Sequence, residues 1–223
     1  MNNGVIKWEL IFEWAPIMLQ GALSTIYISI LGFILSLLLG LVFGLLRLSN
    51  KRFFNMPAAF YVHFVRGIPP LILILGIFFG LPFFGVRVPA IVAGVLALGI
   101  NAGAYIAEII RGALEAIDKG QMEAARSLGM SYSNAMRRII LPQIIIVVIP
   151  PITGEFNSLV KESSLLSVVA ISELTRVGRR MLAVSFRPIE SWVPVAAIYY
   201  LINLLIARFT QGVENRLNEM YKK

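Results

Sequence analysis

Cysteine is absent from the 223 residues, so no disulfide framework, thiolate metal site or thiol nucleophile is available. Histidine occurs once, as His63, and neither an HExxH pair nor a Ser-His-Asp arrangement can be assembled on one imidazole. His63 lies among aromatic residues near a span boundary and reads as a packed interfacial side chain. No GxxxxGK[ST] sequence is present, so the chain lacks the phosphate-cradling loop needed to hydrolyse ATP. Charge is scarce: 14% of residues are charged, where soluble domains carry roughly 25%. No soluble domain, low-complexity linker or internal repeat stands out, and residues 1–223 read as one transmembrane domain.

What is present is apolar: 58% of residues are hydrophobic and the mean hydropathy is +0.80. A hydrocarbon core of about 30 Å at 1.5 Å per residue requires about 20 residues per helix, and the chain offers long uncharged runs rather than barrel-type alternation. An all-α membrane protein is expected, with five transmembrane helices at about 22–46, 67–85, 89–110, 140–160 and 192–211. An odd number places the termini on opposite sides. The twelve cations Arg47, Lys51, Arg52, Arg111, Lys119, Arg126, Arg137, Arg138, Arg208, Arg216, Lys222 and Lys223 then lie inside if the N-terminus is outside and the C-terminus cytoplasmic. Seven lie outside, five of them between 161 and 191, where the apolar run Leu165–Ile171 suggests a re-entrant or surface helix. The net charge of +8 is explained by such basic loops and implies no nucleic acid partner; lipid is the surrounding phase. The first apolar run is too long for a signal peptide and is expected to be retained. Ahead of it, Trp8, Glu9, Phe12, Glu13 and Trp14 within residues 1–18 suggest an interfacial helix.

Gly32, Ser36, Gly40 and Gly44 recur every four residues in the first span, and Gly99, Gly103 and Ala107 repeat the pattern in the third. Small-residue ridges mark close helix packing, within one chain or between two. Pro69-Pro70 and Pro150-Pro151 each remove backbone donors, and the breaks expected there are places where transporters can bind substrate.

Between the third and fourth spans, at about 112–139, Glu108-Arg111, Arg111-Glu115 and Glu115-Lys119 are spaced to pair along a helix that outlasts the membrane. Gln121–Leu128 then forms a short helix, Gly129 suits the left-handed residue that ends it, and Ser131 can cap the next. Glu123-Ala-Ala, three residues, Gly129, nine residues and Ile139-x-Leu141-Pro142 together resemble the EAA loop of ABC importer permeases. The similarity extends to Phe64–Pro69 (FRGTP-type), Ala104–Gly112 (AYIAEIIRGG-type) and Lys161–Leu165 (KDTSL-type) of polar amino acid importer permeases, with Ile68 and Pro70 departing from the pattern.

The resemblance implies a type I ABC importer permease of the histidine/glutamine/arginine class in a prokaryotic cell membrane. Its partners would be a second permease chain, with a homodimer preferred, two ATPase subunits that bind ATP and Mg, and an extracytoplasmic amino-acid-binding protein. The chain would bind no cofactor and catalyse nothing itself. Glu123, Ala124, Ala125 and Gly129 would contact the ATPase.

Pro151, Glu155, Ser158 and Glu162 share one helical face, with Asn157 beside it. A carboxylate at membrane depth costs at least about 2.5 kcal/mol unless it faces a cavity or a cation. The face therefore either binds a basic amino acid (arginine, lysine or histidine) or pairs structurally with Lys161 or Arg176. An acid at position 162 is also similar to permeases for uncharged amino acids, which keeps glutamine, glutamate or another polar amino acid as the alternative. A proton-coupled secondary transporter titrating Glu155 is the other competing function; short length, no inverted halves and the docking loop argue against it.

Overall fold

The computed structural model describes residues 6–221, which contain helices and turns and no strand. Lys222 and Lys223, two of the expected inside cations, and residues 1–5 lie outside the described residues. The helices are α1 (Trp8–Arg47), α2 (Arg52–Arg66), α3 (Pro70–Phe83), α4 (Ala90–Glu115), α5 (Lys119–Ser127), α6 (Tyr132–Ala135), α7 (Leu141–Glu162), α8 (Leu174–Ser185) and α9 (Pro188–Tyr221). A π-helical turn, Met136–Ile140, joins α6 to α7, and a 3-10 segment, Ser163–Val169, follows α7. Four helical stretches, built on α1, α4, α7 and α9, are long and apolar enough to cross a membrane, and the bent pair α2–α3 meets the same length and composition only when its two helices are taken together.

The glycine ridges meet each other inside one chain. A Cβ on Gly99 would come within 2.6 Å of Leu35, one on Gly103 within 2.9 Å of Leu39, and one on Gly40 would overlap Ile106. Gly32 faces Leu98, Gly40 faces Ile106 and Gly44 faces Ile110, a rising register that makes α1 and α4 parallel. Two parallel membrane helices require one crossing between them. The α2–α3 pair supplies it, with a bend of 107°. α7 runs antiparallel to α4, since Glu162 meets Asn101 while Ile140 and Ile144 pack on Ala113. α9 is in turn antiparallel to α7, with Ile202 near Phe156 and Val160, and Leu217 near Ile146 and Pro150. The start of α1 and the loop holding α5 and α6 are therefore at opposite ends of the bundle.

Several expectations need correction. Trp8–Arg47 is one continuous helix of 40 residues, so the interfacial segment from Trp8 onward is the first two turns of α1 rather than a separate element. The second span is not a single helix over 67–85. α3 has 14 residues, about 21 Å, and is preceded by α2, whose Arg52, Asn55, His63 and Arg66 hide it from a hydropathy reading. The expected break at Pro69-Pro70 is present as a 107° bend between α2 and α3, with the prolines at the N-cap and first turn of α3, where a missing N–H costs nothing. Pro150 and Pro151 do not interrupt α7, which continues through them to Glu162. α4 ends at Glu115, and Lys119 opens α5, so the Glu115-Lys119 helical pair does not form.

Between 161 and 191 the chain makes the 3-10 segment and α8, an amphipathic helix capped by Glu173. Glu173 is fully buried; its carboxylate accepts from the N–H of Thr175 (2.8 Å) and Arg176 (2.7 Å) and from the Tyr199 hydroxyl (2.8 Å). Thr25 on α1 accepts from the N–H of Leu174, so α1, α8 and α9 are joined by one satisfied polar cluster.

Gly40→Val should disrupt the α1–α4 contact, because overpacking costs about 1–3 kcal/mol and here the neighbour is a branched side chain on a rigid helix. Thermal unfolding of the purified protein in detergent should show a clear drop in midpoint. Gly76→Ala, where a Cβ meets nothing within 4 Å, should leave it within error; equal effects at both positions would contradict the packing argument.

Candidate functional site

The loop between α4 and α7 is built by local capping. The Asp118 carboxylate accepts from the Gly120 N–H at 2.8 Å and starts α5. At its other end, Gly129 has φ +80°, its N–H reaches the Arg126 carbonyl (3.0 Å), and the Met130 N–H reaches that of Ala125 (3.1 Å). This double bond pattern around a left-handed glycine is a Schellman stop. Ser131 then accepts from the Asn134 N–H at 3.3 Å and caps α6. Beneath the loop, Met122 and Met136 pack on a cluster formed by Ala113, Ile140 and Ile144, so the loop is carried by the ends of α4 and α7.

The four sequence-selected residues divide. Glu123, Ala124 and Gly129 are exposed, whereas Ala125 is 2% exposed on α5, which packs on α6 and the π-helical turn. Two residues not selected from sequence stand out: Leu128 and Tyr132 are 83% and 60% exposed, apolar side chains on the outer surface of a polar loop. Their signal lay in the sequence as apolar residues flanking Gly129, where a helix stop projects its neighbours.

A charged node sits where α4 leaves the bundle. Glu108 pairs with Arg47 of α1 at 2.6 Å and with Arg111 one turn on, and Arg111 also holds Glu115. Arg66, the last residue of α2, is 4.0 Å from Glu108 and stacks over Tyr105 at 5.0 Å from the ring centroid. One carboxylate thus gathers the ends of three helices.

About seven residues, or roughly 10 Å, further along α4 lies the second constellation. Glu155, Asn157, Ser158 and Glu162 are all half-buried on α7. Glu162 accepts from the Asn101 side-chain amide at 2.9 Å, and Asn101, itself 2% exposed, was not foreseen from sequence because it sits singly in an apolar span. The buried Oδ1 atoms of Asn101 and Asn157 have no hydrogen-bond partner. Glu155 lies within electrostatic reach of Glu162 and Arg66. Among the described residues neither Glu155 nor Glu162 forms an ion pair; Lys161 and Arg176, the expected partners, are not bonded to them. Lys161 lines a cavity with Ser164 and Tyr199. Pro150 lines a small cavity with Ile146, Glu214 and Leu217, which gathers no comparable polar set. No group of three or more His, Asp or Glu side chains suited to a metal ion occurs among the described residues.

Residues 32–219 match the profile of the binding-protein-dependent transport system inner membrane component family. The chain belongs to that family. It is similar to the glutamine transport system permease protein GlnP of Escherichia coli (strain K12), 35% identical over 212 residues that cover 94% of this chain and 97% of that one. It is also similar to the arginine transport system permease protein ArtQ of Bacillus subtilis (strain 168), 34% identical over 203 residues, 91% and 93% of the two chains. A crystal structure described as an amino acid ABC transporter with histidines contains a chain that matches with a TM-score of 0.89 and 36% identity over 95% of this chain and 99% of that chain. The resemblance to ABC importer permeases is thereby met in sequence and in fold. The permease is a multi-pass inner membrane component, and its all-helical bundle is the importer permease fold.

Proposed function

We propose that this permease forms the translocation path of an ATP-driven importer for basic amino acids. The observation that carries the reading is the pair Glu155 and Glu162, two helical turns apart at membrane depth and in no ion pair among the described residues. Burial of two such carboxylates against an apolar neighbour is costly, and a cationic solute in a water-filled path removes the cost. Arg66 and the two acids together carry one excess negative charge, which a basic amino acid neutralises and glutamine does not. Asn157 and Ser158 add polar contacts, and the free Oδ1 atoms of Asn101 and Asn157 can accept from a substrate ammonium or guanidinium. The glutamine relative supports the uncharged alternative, in which Glu162 binds only the α-ammonium group.

In this reading the path lies between this chain and a second permease copy. An external binding protein delivers the solute, and an ATPase pair binds ATP and Mg on the side of the α5–α6 loop. The basic residues concentrated at that end support a cytoplasmic side for it, with the N-terminus outside. Glu123, Ala124, Gly129, Leu128 and Tyr132 form the ATPase contact, with Ala125 acting from below by anchoring α5. A proton-coupled mechanism through Glu155 loses its motive once the chain stands among ABC importer permeases.

In proteoliposomes holding the permease, its ATPase and the binding protein, arginine should stimulate ATP hydrolysis more than glutamine does. Glu155→Gln and Glu162→Gln should each raise the half-stimulating arginine concentration about tenfold, the scale of one charge-assisted hydrogen bond. Unchanged half-stimulation for both amino acids in both folded variants would remove the two acids from the path.

The loop is tested separately. Leu128→Glu should insert normally yet lose most ATPase capture on affinity resin, and Gly129→Val should do so through strain at φ +80° while Gly129→Asn retains more. Full capture and transport by both Leu128→Glu and Gly129→Val would place the contact elsewhere.

A further inference from the structure

We infer that Arg66 binds the α-carboxylate of the transported amino acid, a role that rests on the amino acid importer reading above. Every amino acid carries a carboxylate whatever its side chain, and the Glu155–Glu162 stripe repels it. A path lined by these acids alone would hold the ammonium end of a zwitterion and expel the other. A cation beside the stripe is required, and the permease offers few.

Arg47 and Arg111 are committed to Glu108 by close ion pairs, with Arg111 shared with Glu115. Lys161 lines a separate cavity with Ser164 and Tyr199 and, among the described residues, forms no ion pair with the acids. Arg66 differs from all three. Its side chain is 38% exposed, its distance to Glu108 is 4.0 Å, and Glu108 is already held by two nearer arginines. The guanidinium is therefore available to a competing anion, and its stacking over Tyr105 limits the orientations of the fork that would grip a carboxylate with two parallel N–H donors. Arg66 stacks over Tyr105, one turn along α4 from the Asn101 that donates to Glu162, and Glu155 lies two turns from Glu162 on the antiparallel α7, which brings Glu155 and Arg66 to neighbouring levels on the coupling-loop side of Glu162. A zwitterion laid along this line meets acids at its cationic end and the arginine at its carboxylate. The lysine replacement would keep the charge and lose the fork, so it separates bidentate recognition from simple neutralisation.

The test compares each amino acid with its amide, which lacks the carboxylate charge, by titration calorimetry on the purified permease–ATPase complex. The probes are L-arginine, L-argininamide, L-glutamine and L-glutaminamide. Arg66→Gln should weaken arginine about tenfold or more and leave argininamide within about twofold, with Arg66→Lys between wild type and Arg66→Gln for arginine. Co-elution of each variant with the ATPase on size exclusion checks assembly. Equal weakening of acid and amide, or no weakening of either, would overturn the role of Arg66. Binding of glutamine in place of arginine would overturn only the basic-substrate reading, and Arg66 would then be judged on glutamine against glutaminamide.

Discussion

The close approach of α1 to α4 is the constraint on which the rest of the permease depends. Lipid supplies no hydrophobic force between helices, so association relies on packing and on polar contacts at short range. Gly40, Gly44, Gly99 and Gly103 let two backbones come near enough for that packing, and their register makes the helices parallel. Parallel running then dictates a crossing between them, which the α2–α3 hinge provides, and it sets Arg47 at the level of Glu108. The node of α1, α2 and α4 and the polar stretch at Asn101 are both consequences of this one contact.

Charge is compensated very unevenly across the bundle. Glu108 has three arginines around it, and Glu173 is capped by backbone and hydroxyl donors. Glu190 is held by Arg187 at 2.5 Å and by the Lys7 N–H. These carboxylates are structural because their partners are built in. Glu155 and Glu162 break the pattern: Glu162 accepts from Asn101, and among the described residues neither acid forms an ion pair. Physical chemistry assigns the partner of such groups to what passes through or stands in the site, and that difference separates the proposed path from the scaffold.

Much of this was legible in the residues themselves. The stop at Gly129 and the cap at Ser131 depend on i to i+3 relations, and the structure places both where their residue types require. The glycine ridges announced close packing, though only the tertiary arrangement distinguishes an intrachain partner from a second copy. What was hidden is equally specific. α2 carries too many polar residues for a hydropathy window, and its hinge to α3 depends on two prolines that serve as helix starters rather than breakers. The inward turn of Ala125 depends on what α5 packs against, which no local pattern records. Asn101 and Arg66 belong to elements distant in sequence from the α7 stripe, so their place beside it emerges only on folding.

The central claim is that the α7 face bearing Glu155, Ser158 and Glu162 borders water rather than lipid. The cysteine-free chain allows a direct test by labelling Ser158→Cys with a charged, membrane-impermeant thiol reagent, beside Leu205→Cys on the exposed apolar surface of α9. The account predicts rapid labelling at 158 that saturating arginine slows, and little labelling at 205. Labelling at 158 as slow as at 205, in both the resting complex and the complex turning over ATP, would contradict it.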